Sequence, residues 1–173
     1  MSQLKVNSIV PVGGLPAGAT GGGIIQTVTL TKTDTASFVS DGSEVEFTGF
    51  QPTITPSSNS SKILIMISLT YGATSTTYKL RLKRDSTQIL LGDADGNRQR
   101  SSAGLGLVGD GNQADVATFI AIDSPATTSA TTYKIFFTND NNRTIFINRS
   151  NDDNNSSVGS RCVSTFTLME ITG

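Results

Sequence analysis

Residues 62–70, KILIMISLT, constrain the fold of this chain more than any other stretch. From Ile63 to Leu69 the side chains are apolar apart from Ser68, and the isoleucines favour an extended strand. Successive side chains of a strand point to opposite faces, so a strand of this kind must be covered on both sides. In a small β domain, the layer that covers the second face of such a strand is another sheet, a neighbouring subunit, or one of these followed by the other along the strand.

Shorter segments on either side of this strand predict an antiparallel sandwich or jelly roll of about eight strands. The clearest is 78–85, where Tyr78, Leu80 and Leu82 share one face and cationic residues the other. Only 16% of the residues are charged, and the abundance of Ser, Thr, Asn and Gly suits strands and turns rather than long helices. The other predicted strands are 26–30, 43–47, 88–91, 116–122, 132–138, 144–148 and 163–171, while 105–108 is either a strand or a tucked loop.

The first 23 residues differ in composition from the rest of the chain. A short mixed segment, Leu4–Val12, runs into a stretch rich in glycine and proline, where the backbone stays flexible and no core can form. The alternating pattern begins only at Ile24. We therefore predict an anchor arm with a Gly/Pro-rich hinge at 1–23 and one β head at 24–173.

The absence of histidine argues against catalysis. Without it the chain has no Ser-His-Asp or Cys-His machinery and no His-ligated zinc site. Cys162 is the single cysteine and is expected to be a small core residue. Glu44 and Glu46 stand two apart, which places both on one outer strand face, and Glu170 is expected to meet Lys or Arg rather than a substrate. We predict a protein that is not an enzyme and needs no cofactor.

The formal net charge is −1, so the chain has no overall positive charge that would indicate nucleic-acid binding. The cationic stripe Lys79, Arg81 and Lys83 is interpreted as a solvated outer face. Its functional alternative is contact with an anionic sugar, a phosphate or an acidic patch on a neighbour. No apolar run approaches the roughly 20 residues needed to cross a bilayer, so we expect no membrane insertion.

One segment resembles the start of a calcium loop. Asp93, Asp95 and Asn97 have suitable oxygen ligands, but Gly96 precedes Asn97 where a glycine should follow it. The position that needs a bidentate glutamate is Gly104. No metal site is predicted.

Several sequence segments together resemble those of fibre proteins on the virions of marine tailed phages, chiefly cyanophages and their relatives. In order along the chain they are LKVNSIVPVGGLP, GGIIQ, TPSSNSSKILIMI, YKLRLKRDSTQI, IDSPATTSATTYKI and STFTLMEI. The resemblance covers essentially the whole chain and implies a head similar to the trimeric jelly rolls of the tumour-necrosis-factor and complement-globular-domain type. It also implies that the arm fixes the protein to the particle. The chain departs from long fibres in lacking a shaft of heptads or repeats.

The resemblance implies a structural virion protein, exposed on the phage particle, that attaches by its arm and contacts the host surface through its head. Its partners would be other virion proteins of the tail or capsid and a host surface glycan or outer-membrane component. The alternatives are a capsid decoration or stabilising protein without a receptor and, third, a carbohydrate-degrading enzyme. The candidate anchor residues are Leu4, Lys5, Val6, Asn7, Ile9 and Val10.

Two further sets of candidate residues follow. The doubly apolar strand predicts a homotrimer that buries one of its faces, with Ile63, Ile65, Met66 and Ile67 as interface candidates. If the first and last strands are neighbours and each full-length strand reverses direction, loops 151–160 and 124–131 lie at the tip, away from the arm. Loop 92–115 then falls toward the base, unless 105–108 is a full strand. The candidate receptor-binding residues of the tip are Asn151, Asp152, Asp153, Asn154 and Asn155, whose short polar side chains suit sugar hydroxyls.

Overall fold

The computed structural model describes residues 23–73, 78–106, 111–139 and 142–172, and the regular structure in these ranges is entirely β. The strands are β1 (Ile24–Lys32), β2 (Ala36–Ser40), β3 (Val45–Glu46), β4 (Thr53–Ile54), β5 (Lys62–Ala73), β6 (Tyr78–Arg84), β7 (Thr87–Ile89), β8 (Ala103–Leu105), β9 (Asp115–Asp123), β10 (Thr131–Thr138), β11 (Arg143–Ile147) and β12 (Ser164–Ile171). In the same ranges, no helix has the length and apolar character to span a membrane. The predicted anchor residues 4–10 lie outside the described part of the chain.

The strands form two antiparallel sheets. In the first sheet β5 pairs with β9 along one edge, and with β12 and then β11 along the other; β1 and β2 pair with β12 and β11 in turn. In the second sheet β10 pairs with β3 and β4 along one edge and with β6 along the other, and β6 carries β7 and β8 on its far edge.

Strands that lie end to end along the same line of a sheet are counted together as one row. This gives eight rows, four in each sheet. Numbered along the chain, the first row pairs with the eighth, the second with the seventh, the third with the sixth and the fourth with the fifth. This nested pairing is the connectivity of a jelly roll. The predicted antiparallel jelly-roll sandwich is therefore confirmed.

The core lies between the sheets and is built from alternate residues of the long strands. Ile63 and Ile65 of β5 are fully buried and Ile67 is 2% exposed, because all three face the second sheet. Phe47 packs against Phe38 and Phe50 with ring centroids 5.0 Å apart in both pairs. The predicted interface candidates Ile63, Ile65 and Ile67 are thus covered within the chain itself. Of the four candidates, only Met66 lies on the opposite face.

The outer face of the first sheet, away from the core, is open at its centre. Met66 is 37% exposed, and on the neighbouring β9 Ile120 is 61% and Ile122 is 53% exposed. Ile25 and Val116 are also exposed large apolar residues. We refer to Ile25, Met66, Val116, Ile120 and Ile122 as the apolar face. The apolar face includes the second side of KILIMISLT, at Met66, and a single copy of the described chain does not cover it.

Strand pairing defines two ends of the sandwich. Ile24 pairs with Ile171 at the end where the arm enters, here called the base, and Lys32 pairs with Ser164 toward the other end, the tip. The first and last rows are neighbours, as predicted, and the loop that precedes β12 leaves from the tip-side half. The loop 151–160 thus lies on the half of the sandwich away from the arm, but it leaves from within a row, between β11 and β12, rather than from the free tip that was predicted.

The placement of two other loops was predicted wrongly. Asp123 pairs with Ile63 near the base, so 124–131 leaves from the base rather than the tip. Asp115 pairs with Tyr71, so loop 92–115 ends at the tip rather than the base. The physical reason is that β11 and β12 run in the same direction along one row, so the loop between them adds no reversal. Of the segment 105–108, which the sequence left open as a strand or a loop, Leu105 is the last residue of β8, and residues 107–108 lie outside the described part of the chain.

Candidate functional site

The loop between β11 and β12 starts from a single asparagine. Asn148 is fully buried and has a φ of 59°, a left-handed conformation that asparagine tolerates better than most residues. Its Nδ2 donates to the carbonyl oxygens of Lys32 and Asp34 at 2.8 and 2.9 Å, and its Oδ1 accepts from Ser164 Oγ at 2.6 Å. Through these hydrogen bonds the side chain links the bend between β1 and β2 to the first residue of β12.

The backbone of Asn148 closes the neck of the same loop. Its N–H donates to the carbonyl oxygen of Thr70 at 3.0 Å, and its carbonyl oxygen accepts from Cys162 N–H at 2.9 Å. Residues 149–161 therefore leave and re-enter the sheet at one point. Cys162, expected in the core, is half-buried at this neck.

The loop then crosses β5 at Gly72. A Cβ at Gly72 would lie 2.7–2.9 Å from backbone atoms of residues 149–151, closer than side-chain carbons approach a neighbour, so this crossing requires glycine. Beyond the crossing, the N–H of Asp152 donates to the carbonyl oxygen of Gly111 at 2.7 Å. The loop is thus fixed to β5 and to the segment before β9.

Ion pairs close inside the loop. Arg161 Nη2 lies 2.5 Å from Asp153 Oδ1, and Arg149 Nη1 lies 3.8 Å from Asp153 Oδ2. The Arg149 guanidinium also stacks on the ring of Phe146 at 3.9 Å from its centroid. Both arginines are therefore engaged by the protein.

A concavity of about 350 Å³ lies within this loop, at the small end of the range for ligand sites. Among the described residues, no aromatic side chain lines it, and its wall is mostly polar. Its lining residues are Ser150, Asp152, Asp153, Asn154, Asn155, Ser156, Gly159, Ser160 and Arg161. Four of the five predicted receptor-binding residues are thus brought together, and the fifth, Asn151, lies beside them and donates to Asp152 Oδ1 at 3.2 Å.

The residues that build this site were largely missed by sequence reasoning. Polar composition indicated 151–155, but Asn148 and Gly72 belong to no motif and act through residues distant in sequence. Arg149 and Arg161 flank the predicted segment, and a signal for them was present in their opposite charge to Asp153.

Glu170 forms a second buried polar site, near the base, and its partners differ from those predicted. Its Oε1 accepts from Ser57 N–H at 2.7 Å, from Ser57 Oγ at 2.5 Å and from Ser61 Oγ at 2.6 Å, and its Oε2 accepts from Gln26 Nε2 at 2.5 Å. Burial opposes ionisation, but the hydrogen bonds from Ser57, Ser61 and Gln26 outweigh it and lower the pKa of Glu170 to about 2. Hydroxyl and amide donors, rather than a Lys or Arg, therefore hold this carboxylate and tie the loop before β5 to β12.

The cationic stripe on β6 forms ion pairs with a carboxylate of the same chain. Glu44 lies 2.8 Å from Arg81 Nη1 and 2.5 Å from Lys83 Nζ. Partial burial raises the pKa of Glu44, but the hydrogen bonds from Arg81 and Lys83 outweigh it and the net shift is downward. Glu46 lies 3.5 Å from Lys134 on β10. Two of the three cations of the stripe, Arg81 and Lys83, thus share the one carboxylate of Glu44 on the outer face of the second sheet.

The segment that resembles a calcium loop is also paired internally. Asp95 Oδ2 lies 2.6 Å from Arg98 Nη1. Over the described ranges, no group of three or more His, Cys, Asp or Glu side chains is arranged to hold a metal ion.

Comparison with known proteins gives distant structural likeness only. No protein-family model and no curated protein matches the chain. Structures of infectious bursal disease virus resemble it at 12% identity over 84% of this chain, with a TM-score of 0.42 for both the Gx and the Gt strain. The VP2 subviral particle of that virus gives 11% identity, 84% coverage and a TM-score of 0.40. The chain spans about two fifths of the length of those chains, covering 39%, 40% and 41% of them. Likeness at this level assigns no family and no function.

Proposed function

We propose that this chain is a structural virion protein, a short fibre of a tailed phage that joins the particle by its N-terminal segment and contacts the host surface with its β head. The observation that carries the proposal is the separation of the two ends. Residues 1–22 join the sandwich at the base, where Gly23 N–H donates to Thr172 Oγ1 at 3.0 Å. The polar concavity of 150–161 lies on the tip-side half, so anchor and contact surface are apart.

The mechanism of such a protein is adhesion rather than catalysis. A polar concavity without aromatic stacking offers modest affinity at a single site, and presentation of many copies on one particle converts modest affinity into lasting attachment. This mechanism requires no cofactor and no chemical step.

The homotrimer is part of the same proposal, with the apolar face as its contact surface. On the outer side of β1, β5, β9 and β12 the side chains are apolar or hydroxyl-bearing, except for the charged Lys62, which lies at the base border of the face. A face of this kind associates with its own copies without like-charge repulsion and without burying a charge. The outer face of the second sheet, with its ion pairs at Glu44 and Glu46, is much less suited to burial.

The test is to locate the protein on the particle and to remove its arm. We expect electron microscopy of virions labelled with antibody against the head to place it on a tail component. Virions assembled with a variant lacking residues 1–22 should lack the label, although the purified variant folds. Label over the capsid lattice, with unchanged host adsorption after its loss, would replace the fibre by a decoration protein. Normal incorporation of the truncated variant would place the anchor elsewhere.

A further inference from the structure

We propose that the concavity of residues 150–161 binds a neutral, hydroxyl-rich sugar and not an anionic group. The inference rests on the proposed host contact and names the class of ligand for it. It depends on which charged groups the protein has already paired and which polar groups it leaves for a ligand.

The charges of the loop cancel within the loop. Arg149 and Arg161 are balanced by Asp152 and Asp153, and Asp153 lies between the two guanidinium groups. A sialyl, sulfate or phosphate group entering the concavity would meet no unengaged cation of the loop and would have two carboxylates nearby. Recognition of such anions ordinarily uses an arginine fork, and here Asp153 already lies against both guanidinium groups, 2.5 Å from Arg161 Nη2 and 3.8 Å from Arg149 Nη1.

The groups left over are neutral amides and a hydroxyl. In the lining of the concavity, the side chains of Asn154, Asn155 and Ser160 make no hydrogen bond to the described part of the protein. An amide offers donors and an acceptor together, and a hydroxyl does the same. Vicinal hydroxyls of a sugar present the same mixture of donors and acceptors, so these groups match a neutral glycan.

The loop is also held firmly enough to present these groups in one arrangement. Its neck is closed through Asn148, and its middle is fixed by the hydrogen bond from Asp152 N–H to Gly111. Preorganisation of this kind lowers the entropic cost of binding a flexible ligand. The absence of an aromatic platform keeps the affinity of a single site modest.

The experiment uses the purified full-length chain on an array of neutral oligosaccharides of hexose, deoxyhexose and N-acetylhexosamine, each printed beside its sialylated or sulfated counterpart. We expect binding to neutral members, with a dissociation constant, measured by NMR titration, that changes less than twofold between 50 and 500 mM NaCl. The double variant Asn154→Ala/Asn155→Ala should weaken binding at least tenfold at unchanged melting temperature. The matched control Asn59→Ala/Asn97→Ala replaces two exposed asparagines of other loops and should bind as the wild type does.

Two results would overturn the inference: binding confined to sialylated or sulfated probes with a strong salt dependence, or no binding to any neutral probe at 10 mM, taken here as roughly the weak limit of useful single-site affinity. Adsorption of particles that carry the double variant separates this failure from failure of the proposed function. Neutral-sugar binding in vitro with unchanged adsorption leaves the sugar site standing and removes the host contact. Lost adsorption without any sugar binding removes the sugar assignment and leaves the host contact standing.

Discussion

Gly72→Ala is the substitution whose effect the structure defines most sharply. The new methyl carbon would lie 2.7 Å from Arg149 O, 2.8 Å from Asn151 N and 2.9 Å from the carbonyl carbon of Ser150. Non-bonded carbon contacts are optimal at about 3.5–4.0 Å, so the crossing backbone must retreat by roughly 0.5 to 1 Å. All three contacts are backbone atoms, so rotation of a side chain cannot relieve them.

The magnitude follows from two opposing effects. Overpacking of this kind costs about 1–3 kcal/mol, and replacing glycine by alanine recovers about 0.4–1 kcal/mol through the unfolded chain. The difference spans about 0 to 2.6 kcal/mol, so we expect the free energy of unfolding to fall by about 1.3 kcal/mol, which lowers the melting temperature of a chain this size by roughly 3–5 °C. The retreat of the loop should also open the hydrogen bond between Asp152 and Gly111.

The assay is urea unfolding at one fixed protein concentration, together with amide chemical shifts of residues 149–161. The matched control is Gly104→Ala, a glycine in β8 where the new methyl carbon would have no neighbouring atom within 4 Å and where φ is not left-handed. We expect the control to be neutral or slightly stabilising and to leave the loop shifts unchanged. Equal unfolding free energies for the two variants, to within about 0.5 kcal/mol, would refute the argument that the loop crosses β5 in contact with Gly72.

Two further predictions follow from the base and from the apolar face. Glu170→Gln should destabilise the head by about 1–3 kcal/mol at pH 7, because the new amide meets Gln26 donor to donor. The folded pKa of Glu170, about 2, lies below its ordinary value of 4.5, so the carboxylate contributes its full stabilisation above pH 4.5. The stability advantage of the wild type over the glutamine variant should therefore vanish as the pH falls through about 2. A constant difference in unfolding free energy, measured by urea titration across this pH window, would contradict the assignment. Ile120→Asp should yield folded monomers by sedimentation, because Ile120 is 61% exposed, whereas Ile65→Asp should fail to fold, because Ile65 is fully buried in the core. A trimer of unchanged stability in Ile120→Asp would exclude the apolar face as the interface.

The fold class could be predicted from the sequence because alternation is a local property. Tyr78, Leu80 and Leu82 are buried and Lys79 and Arg81 are not, as their spacing indicates for a strand with one wet face. The same rule placed Ile63 and Ile65 on one face of β5, but it did not say that the other sheet covers that face. Strands as short as β3 and β4, at two residues each, have too few positions for alternation to define them.

The direction of strands and the partners of the site were decided by tertiary structure. Whether β11 and β12 run in the same direction or reverse depends on their pairing with β5, whose paired residues lie 72 to 109 positions earlier in the chain, and no local pattern encodes that register. Glu170 is held by Ser57, Ser61 and Gln26, which lie 113, 109 and 144 residues away, so its neighbours could not be read from its flanking residues. The sequence by itself determined strands, faces and a polar loop, because these depend on neighbours along the chain. Only the packed sheets decided that Gly72 lies under that loop and that Asp153 pairs with both arginines, because those contacts exist only once distant rows are aligned.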